Sequence, residues 1–137
     1  MRLIAISSAA LLSLLVSARA DVIPPCATPS GVNSVPLPDG VPSAVNRALQ
    51  AKLGKIALPG QEFDATDVVG TGISRRFIFA WNSGSKWLVA TEHGGRGYND
   101  PIFLFDLSQN GEDVSLLKTQ ISFPKGVCSA ASAMILG

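Results

Sequence analysis

Apolar and polar residues alternate with a period of two along Arg75–Leu107, which is the spacing of side chains on β-strands. In the first run Phe77, Phe79 and Trp81 fall on one face, with Arg76, Ile78, Ala80 and Asn82 on the other. Asn82-Ser83-Gly84-Ser85 supplies a glycine-bearing hairpin loop. Lys86–His93 returns, with Trp87, Val89 and Thr91 set against Leu88, Ala90 and Glu92. Both faces of this pair carry apolar side chains, so the pair belongs at the centre of a sheet. Gly94–Pro101 connects to Ile102–Leu107, a short and strongly apolar strand. An Asn110-Gly111 turn signal then leads to a last strand, Val114–Phe123, in which Leu117, Thr119, Ile121 and Phe123 share a face. Pro124-Lys125-Gly126 stops it. A weaker alternation over Gln61–Gly70, interrupted at Gly70 and Gly72, predicts a first strand.

The period changes once. Val45, Ala48, Leu49 and Leu53 recur at helical spacing within Pro42–Leu53, with Asn46, Arg47 and Gln50 on the other side. Pro42 suits a first helical turn, where its missing N–H has no partner to lose. Gly54 supplies the stop, and Lys52 and Lys55 lie where the helix dipole favours positive charge. A single apolar stripe must pack on something, and the sheet is the available surface. Ser129–Leu136 predicts one or two further helical turns at the C-terminus. Asp21–Gly40 holds five prolines and two glycines, which excludes a helix or a central strand and leaves an extended lead-in. The expectation is an α+β fold: an antiparallel β-meander of four to five strands, one N-terminal helix on a face, and one disulfide. Residues 1–20 read as a signal peptide, 21–41 as the lead-in and 42–137 as a single domain.

The first of these segments changes the compartment. Arg2 precedes an apolar run over Leu3–Val16, and Ala18-Arg19-Ala20 fits the small-x-small pattern of a cleavage site. The run is short of the roughly twenty residues that a spanning helix needs, which disfavours an uncleaved anchor. The expectation is export to a periplasm or the outside, with no membrane insertion of the mature chain. Cys26 and Cys128 are then the two cysteines of a chain bound for an oxidising space, and a disulfide follows from compartment and parity. No CxxC is present for zinc or redox chemistry, and no metal or other cofactor is implied. Without Arg2 and Arg19, the 11 basic and 10 acidic residues leave a net charge of about −1. That balance, with no basic cluster, excludes a nucleic-acid footprint.

Chemistry-bearing side chains gather in one place, Glu92–Asp100 (EHGGRGYND). Its glycines let backbone N–H groups converge on an anion beside Arg96, and Tyr98, Asn99 and Asp100 complete a candidate binding loop. No helical pattern follows, so this is neither a P-loop nor a dinucleotide fingerprint, and a hairpin turn needing positive φ angles explains the same glycines. His93 is the sole histidine and the weak candidate for a catalytic base. No G-x-S-x-G elbow accompanies it, and no serine is singled out by its neighbours. Asp64, Asp67, Asp100 and Asp106 are not paired by their spacing. Arg75-Arg76 reads as solvated or paired with a carboxylate. The Phe/Trp stripe reads as core, with an exposed sugar- or peptide-binding face as the alternative. Together these favour a non-catalytic binding module of inhibitor, immunity or envelope-partner type, using Gly94–Asp100 to meet a protein or envelope ligand. The alternative is a small secreted hydrolase with His93 as general base.

Overall fold

A computed structural model describes residues 25–66 and 70–137. The expected signal peptide, residues 1–20, lies outside them. Five strands form one antiparallel sheet in chain order: β1 (Asn33–Val35), β2 (Arg75–Ser83), β3 (Lys86–His93), β4 (Asp100–Leu107) and β5 (Val114–Ser122). Helix α1 (Ser43–Leu53) follows β1, and α2 (Val127–Leu136) ends the chain. The meander, the N-terminal helix and the Cys26–Cys128 disulfide are as the sequence predicts.

Each face of the sheet has its own core. On one, Val45 and Leu49 of α1 pack with Phe77, Ala80, Val89, Phe103 and Phe105. Leu49 and Val45 are fully buried, each worth about 1.5–3 kcal/mol relative to exposure. On the other, Val127, Ala131, Met134 and Ile135 of α2 pack with Phe79, Trp81, Leu88, Ala90, Ile102 and Leu104. The one or two turns predicted at the C-terminus are thus a ten-residue helix that covers the second face. Cys128 sits in its first turn, so the disulfide ties that cover to the lead-in.

Two β-bulges correct the predicted faces. Phe77 pairs with Thr91 but Phe79 with Ala90, which makes Ile78 an extra residue in β2. Phe77 therefore packs under α1 while Phe79 and Trp81 pack under α2. In β5, Leu116 pairs with Phe105 and Lys118 with Leu104, so Leu117 is the extra residue. Leu116, not Leu117, shares a face with Thr119 and Ile121. A period-two count carried across an inserted residue puts everything beyond it on the wrong side.

The first strand is also elsewhere. Residues 61–66 are loop, with 67–69 outside the described residues, and β1 comes instead from the proline-rich lead-in. Its register, Asn33↔Asn82 to Val35↔Ala80, makes it a three-residue edge strand that ends at Pro36, the position in a sheet where proline is tolerated. The helix begins at Ser43, with Pro42 capping it and accepting the Asn46 N–H. The Asn46 amide donates to Pro38 O (2.7 Å) and Val41 O (3.1 Å), fixing α1 to the turn before it.

The disulfide joins residues 102 apart, so the chain-entropy cost it removes from the unfolded state is on the order of 4–5 kcal/mol. The Cys26→Ser/Cys128→Ser double variant is expected to lose stability of that size. A urea titration followed by tryptophan fluorescence measures it, and a midpoint matching the oxidised parent would refute the clamp.

Candidate functional site

The register set by Ala90↔Ile102 continues to the isolated bridge His93↔Asn99, which places Glu92 directly across from Asp100. Both carboxylates face the α2 side of the sheet, and both are buried. Their surroundings divide them. Glu92 is paired: Arg76, its cross-strand neighbour on β2, donates from Nε to Oε1, and the Tyr98 hydroxyl donates to Oε2. Arg76 also donates to Gln61 O (3.2 Å) and lies 4.3 Å from the Phe63 ring centroid. One guanidinium thus neutralises Glu92 and holds the 61–63 loop to the sheet. Removing one member of a buried ion pair typically costs about 3–5 kcal/mol, because the other charge is left in a poor solvent.

Asp100 has no such help. Among the described residues neither carboxylate oxygen has a hydrogen-bond partner, and its side chain is fully buried. Burial, reinforced by the Glu92 charge, pushes its carboxyl up to about 7, so the neutral acid is the dominant form at mildly acidic pH. Burial and the hydrogen bond to Glu92 raise the Tyr98 hydroxyl far above its ordinary value, and it remains a donor. Two facing carboxylates with divergent environments are the pattern of an acid–base pair. Here the pair is buried, with Glu92 3% and Asp100 0% exposed.

The glycine-rich turn is buried at Gly94 and exposed at Arg96 and Gly97. His93 N–H and Asn99 N–H exchange bonds with Asn99 O and His93 O (2.8 and 3.1 Å), closing the hairpin. Two of its N–H groups serve the chain itself: Gly94 donates to Ser74 O and Gly95 to Ala65 O. Gly94 is also a contact point, since a Cβ there would lie 2.0 Å from Asp64 O and 2.6 Å from Ala65 Cα. The facing loop has its own anchor. The Asp64 carboxylate accepts from Gly70, Thr71 and Gly72 N–H and from the Thr71 hydroxyl, bonds that hold its pKa below the ordinary value.

Of the predicted binding residues, Arg96 is exposed, Tyr98 and Asn99 are half-buried, and Asp100 is interior. His93 stands across β2 from Arg75, whose charge adds to burial in lowering the imidazole pKa. Among the described residues its side chain makes no hydrogen bond to a hydroxyl or a carboxylate, the contacts that a catalytic relay uses. Among the described residues no group of three or more His, Cys, Asp or Glu is placed to hold a metal, and no helix is long and apolar enough to cross a membrane. A groove of about 320 Å³ beside the disulfide, lined by Pro25, Cys26, Ser34, Pro36, Ile78, Phe79 and Trp81, contains no ionisable side chain.

Sequence reading found the last strand, β5, but not the exposure of its apolar side chains. It is the outer strand of the sheet, nine residues long. Leu116, Leu117 and Ile121 on it are 42%, 52% and 56% exposed, and Phe123 just beyond is 62% exposed. The signal was present as an apolar strand at the end of a meander, where no further strand follows to cover it.

Fold and site define a class: a disulfide-tied α+β domain whose five-stranded antiparallel meander is covered by a helix on each face. No family model, curated protein or solved structure matches the chain.

Two variants check this geometry. Gly94→Ala is expected to push the 64–65 loop away and destabilise the fold, read as a lowered melting temperature and new hydrogen exchange at the Gly95 amide. A parent-like melting curve and protection pattern would show that the loops do not touch. For Asp100 the sign follows from proton linkage. Between its ordinary 3.8 and about 7 the unfolded chain gives up a proton that the folded one keeps, so stability falls as pH rises through that window. It levels off above, after a loss on the order of 4 kcal/mol. Asp100→Asn is expected to flatten that decline and to be the more stable protein at pH 8. Denaturation midpoints measured from pH 4 to 8 decide it, and parallel curves for the two proteins would refute the neutral, buried acid.

Proposed function

We propose that the chain works outside the reducing cytoplasm as a non-catalytic binding module, taking hold of a partner protein by strand addition along β5. The carrying observation is the outer edge of the sheet, where exposed Leu116, Leu117, Ile121 and Phe123 accompany a nine-residue strand. An edge strand presents unpaired N–H and C=O groups along its length, and a partner strand satisfies them while alternate side chains fill apolar contacts. A protein that remained solitary would pay for this exposed surface in aggregation. The apolar N-terminal segment ahead of Ala18-Arg19-Ala20 and the Cys26–Cys128 disulfide support an exported site of action. Burial of Asp100 and the hydrogen bond of Tyr98 to Glu92 support a contact surface other than the Gly94–Asp100 loop that the sequence favours.

The test is comparative capture from envelope and culture fluid of the producing cell. The parent and Arg96→Ala are expected to retain the same partner, and Leu116→Lys/Ile121→Lys to lose it. Retention by the lysine variant, or loss on changing Arg96 alone, would return the contact surface to the loop. His93→Ala is expected to leave capture unchanged.

A further inference from the structure

We infer that the strand added to β5 is β5 of a second copy of this chain, paired antiparallel about a two-fold axis at Thr119. The inference rests on the reading of β5 as the contact edge and goes beyond it by naming the partner.

The side chains of β5 complement themselves in that arrangement. The bulge at Leu117 leaves Val114, Leu116, Thr119 and Ile121 on the α1 face, each paired with a β4 residue of that face: Leu107, Phe105, Phe103 and Pro101. Turned about Thr119, Leu116 of each copy lies across from Ile121 of the other, and Val114 across from Phe123. The exposed apolar residues of the edge are therefore the ones that meet. A continuous sheet requires opposed residues to share a face, and the axis at Thr119 meets this requirement through the inserted residue.

Charge agrees with the same axis. Glu112 and Asp113 precede the strand and Lys125 follows it, so an antiparallel copy brings acidic start beside basic end twice over. Lys118, the one charged residue within β5, lies on the α2 face with Gln120. About Thr119 it opposes Gln120 of the other copy, not its own counterpart. An axis at Lys118 would set two ammonium groups against each other, which is unfavourable.

The opposite edge explains why the association stops at two. β1 is three residues long and ends at Pro36, too short to receive a nine-residue strand. A β5-to-β5 contact is isologous and closes on itself, whereas β5 on β1 would run on as a fibre.

Sedimentation equilibrium of the purified, oxidised chain is expected to give twice the monomer mass, and Leu116→Lys/Ile121→Lys to halve it with an unchanged circular dichroism spectrum. Both substituted side chains are exposed, so the variant keeps its core. Thr119→Cys is expected to form a disulfide-linked dimer on oxidation. Ser115→Cys, whose counterpart would lie at the far end of the paired strands, is expected to remain uncrosslinked. A monomeric parent, a dimer that survives the two lysines, or cross-linking at Ser115 in place of Thr119 would each overturn the inference. A monomeric parent that still captures another protein through Leu116 and Ile121 would overturn the second copy alone. A monomer that captures nothing would end the reading of the edge as well.

Discussion

A strand with apolar residues on both sides demands two covers, and β3 is such a strand. Leu88 and Ala90 face one way, Val89 and Thr91 the other, and all four are buried. An antiparallel sheet ordinarily needs one dry face; this one needs two. Helix α1 lies next to the strands in the chain and covers its face with Val45 and Leu49. The other cover is α2, a terminal helix rich in small residues, placed against the sheet by Val127, Ala131, Met134 and Ile135. A terminal helix tends to fray and detach. The bond from Cys128 to Cys26 removes that freedom at the end where the helix begins.

The buried polar cluster follows from the same two-sided burial. Because the α2 face is covered up to the β3–β4 turn, Glu92 and Asp100 are carried inside by strands whose neighbouring positions are core. Charge is tolerated there only with compensation. Glu92 has it from Arg76 and Tyr98. Asp100 has no such partner among the described residues, and burial pushes its carboxyl up to about 7 instead. The cluster looks like an active site when read along the chain, because ionisable residues on a glycine-rich turn are what active sites use. In space it holds the β3–β4 turn, the Arg76 strand and the 61–65 loop together. Gly94 fits this role through close backbone approach to Asp64 and Ala65.

The sheet is open at its last strand. β5 is outermost, so among the described residues it keeps one satisfied edge, against β4, and one open edge flanked by exposed leucine, isoleucine and phenylalanine. The lead-in treats the opposite edge differently: three residues, then Pro36. This asymmetry between the two edges of the sheet is independent of the polar cluster.

The order of β2 to β5, the extent of α1 to within a residue and the disulfide were legible in the sequence, because each is set by local periodicity, turn chemistry or cysteine parity. Arg75-Arg76 read as solvated or paired with a carboxylate, and strand register decided that Arg76 pairs with Glu92. Three things were decided only in the tertiary structure. The bulges at Ile78 and Leu117 reverse the parity of everything beyond them, and a bulge is a property of a pair of strands that neither strand announces alone. β1 was hidden in a proline-rich stretch, since three residues suffice when a neighbour already offers its edge. Burial of Glu92 and Asp100 and exposure of the β5 side chains depend on how the elements pack. The sequence states that apolar residues need cover, and only packing in three dimensions determines which of them go without it.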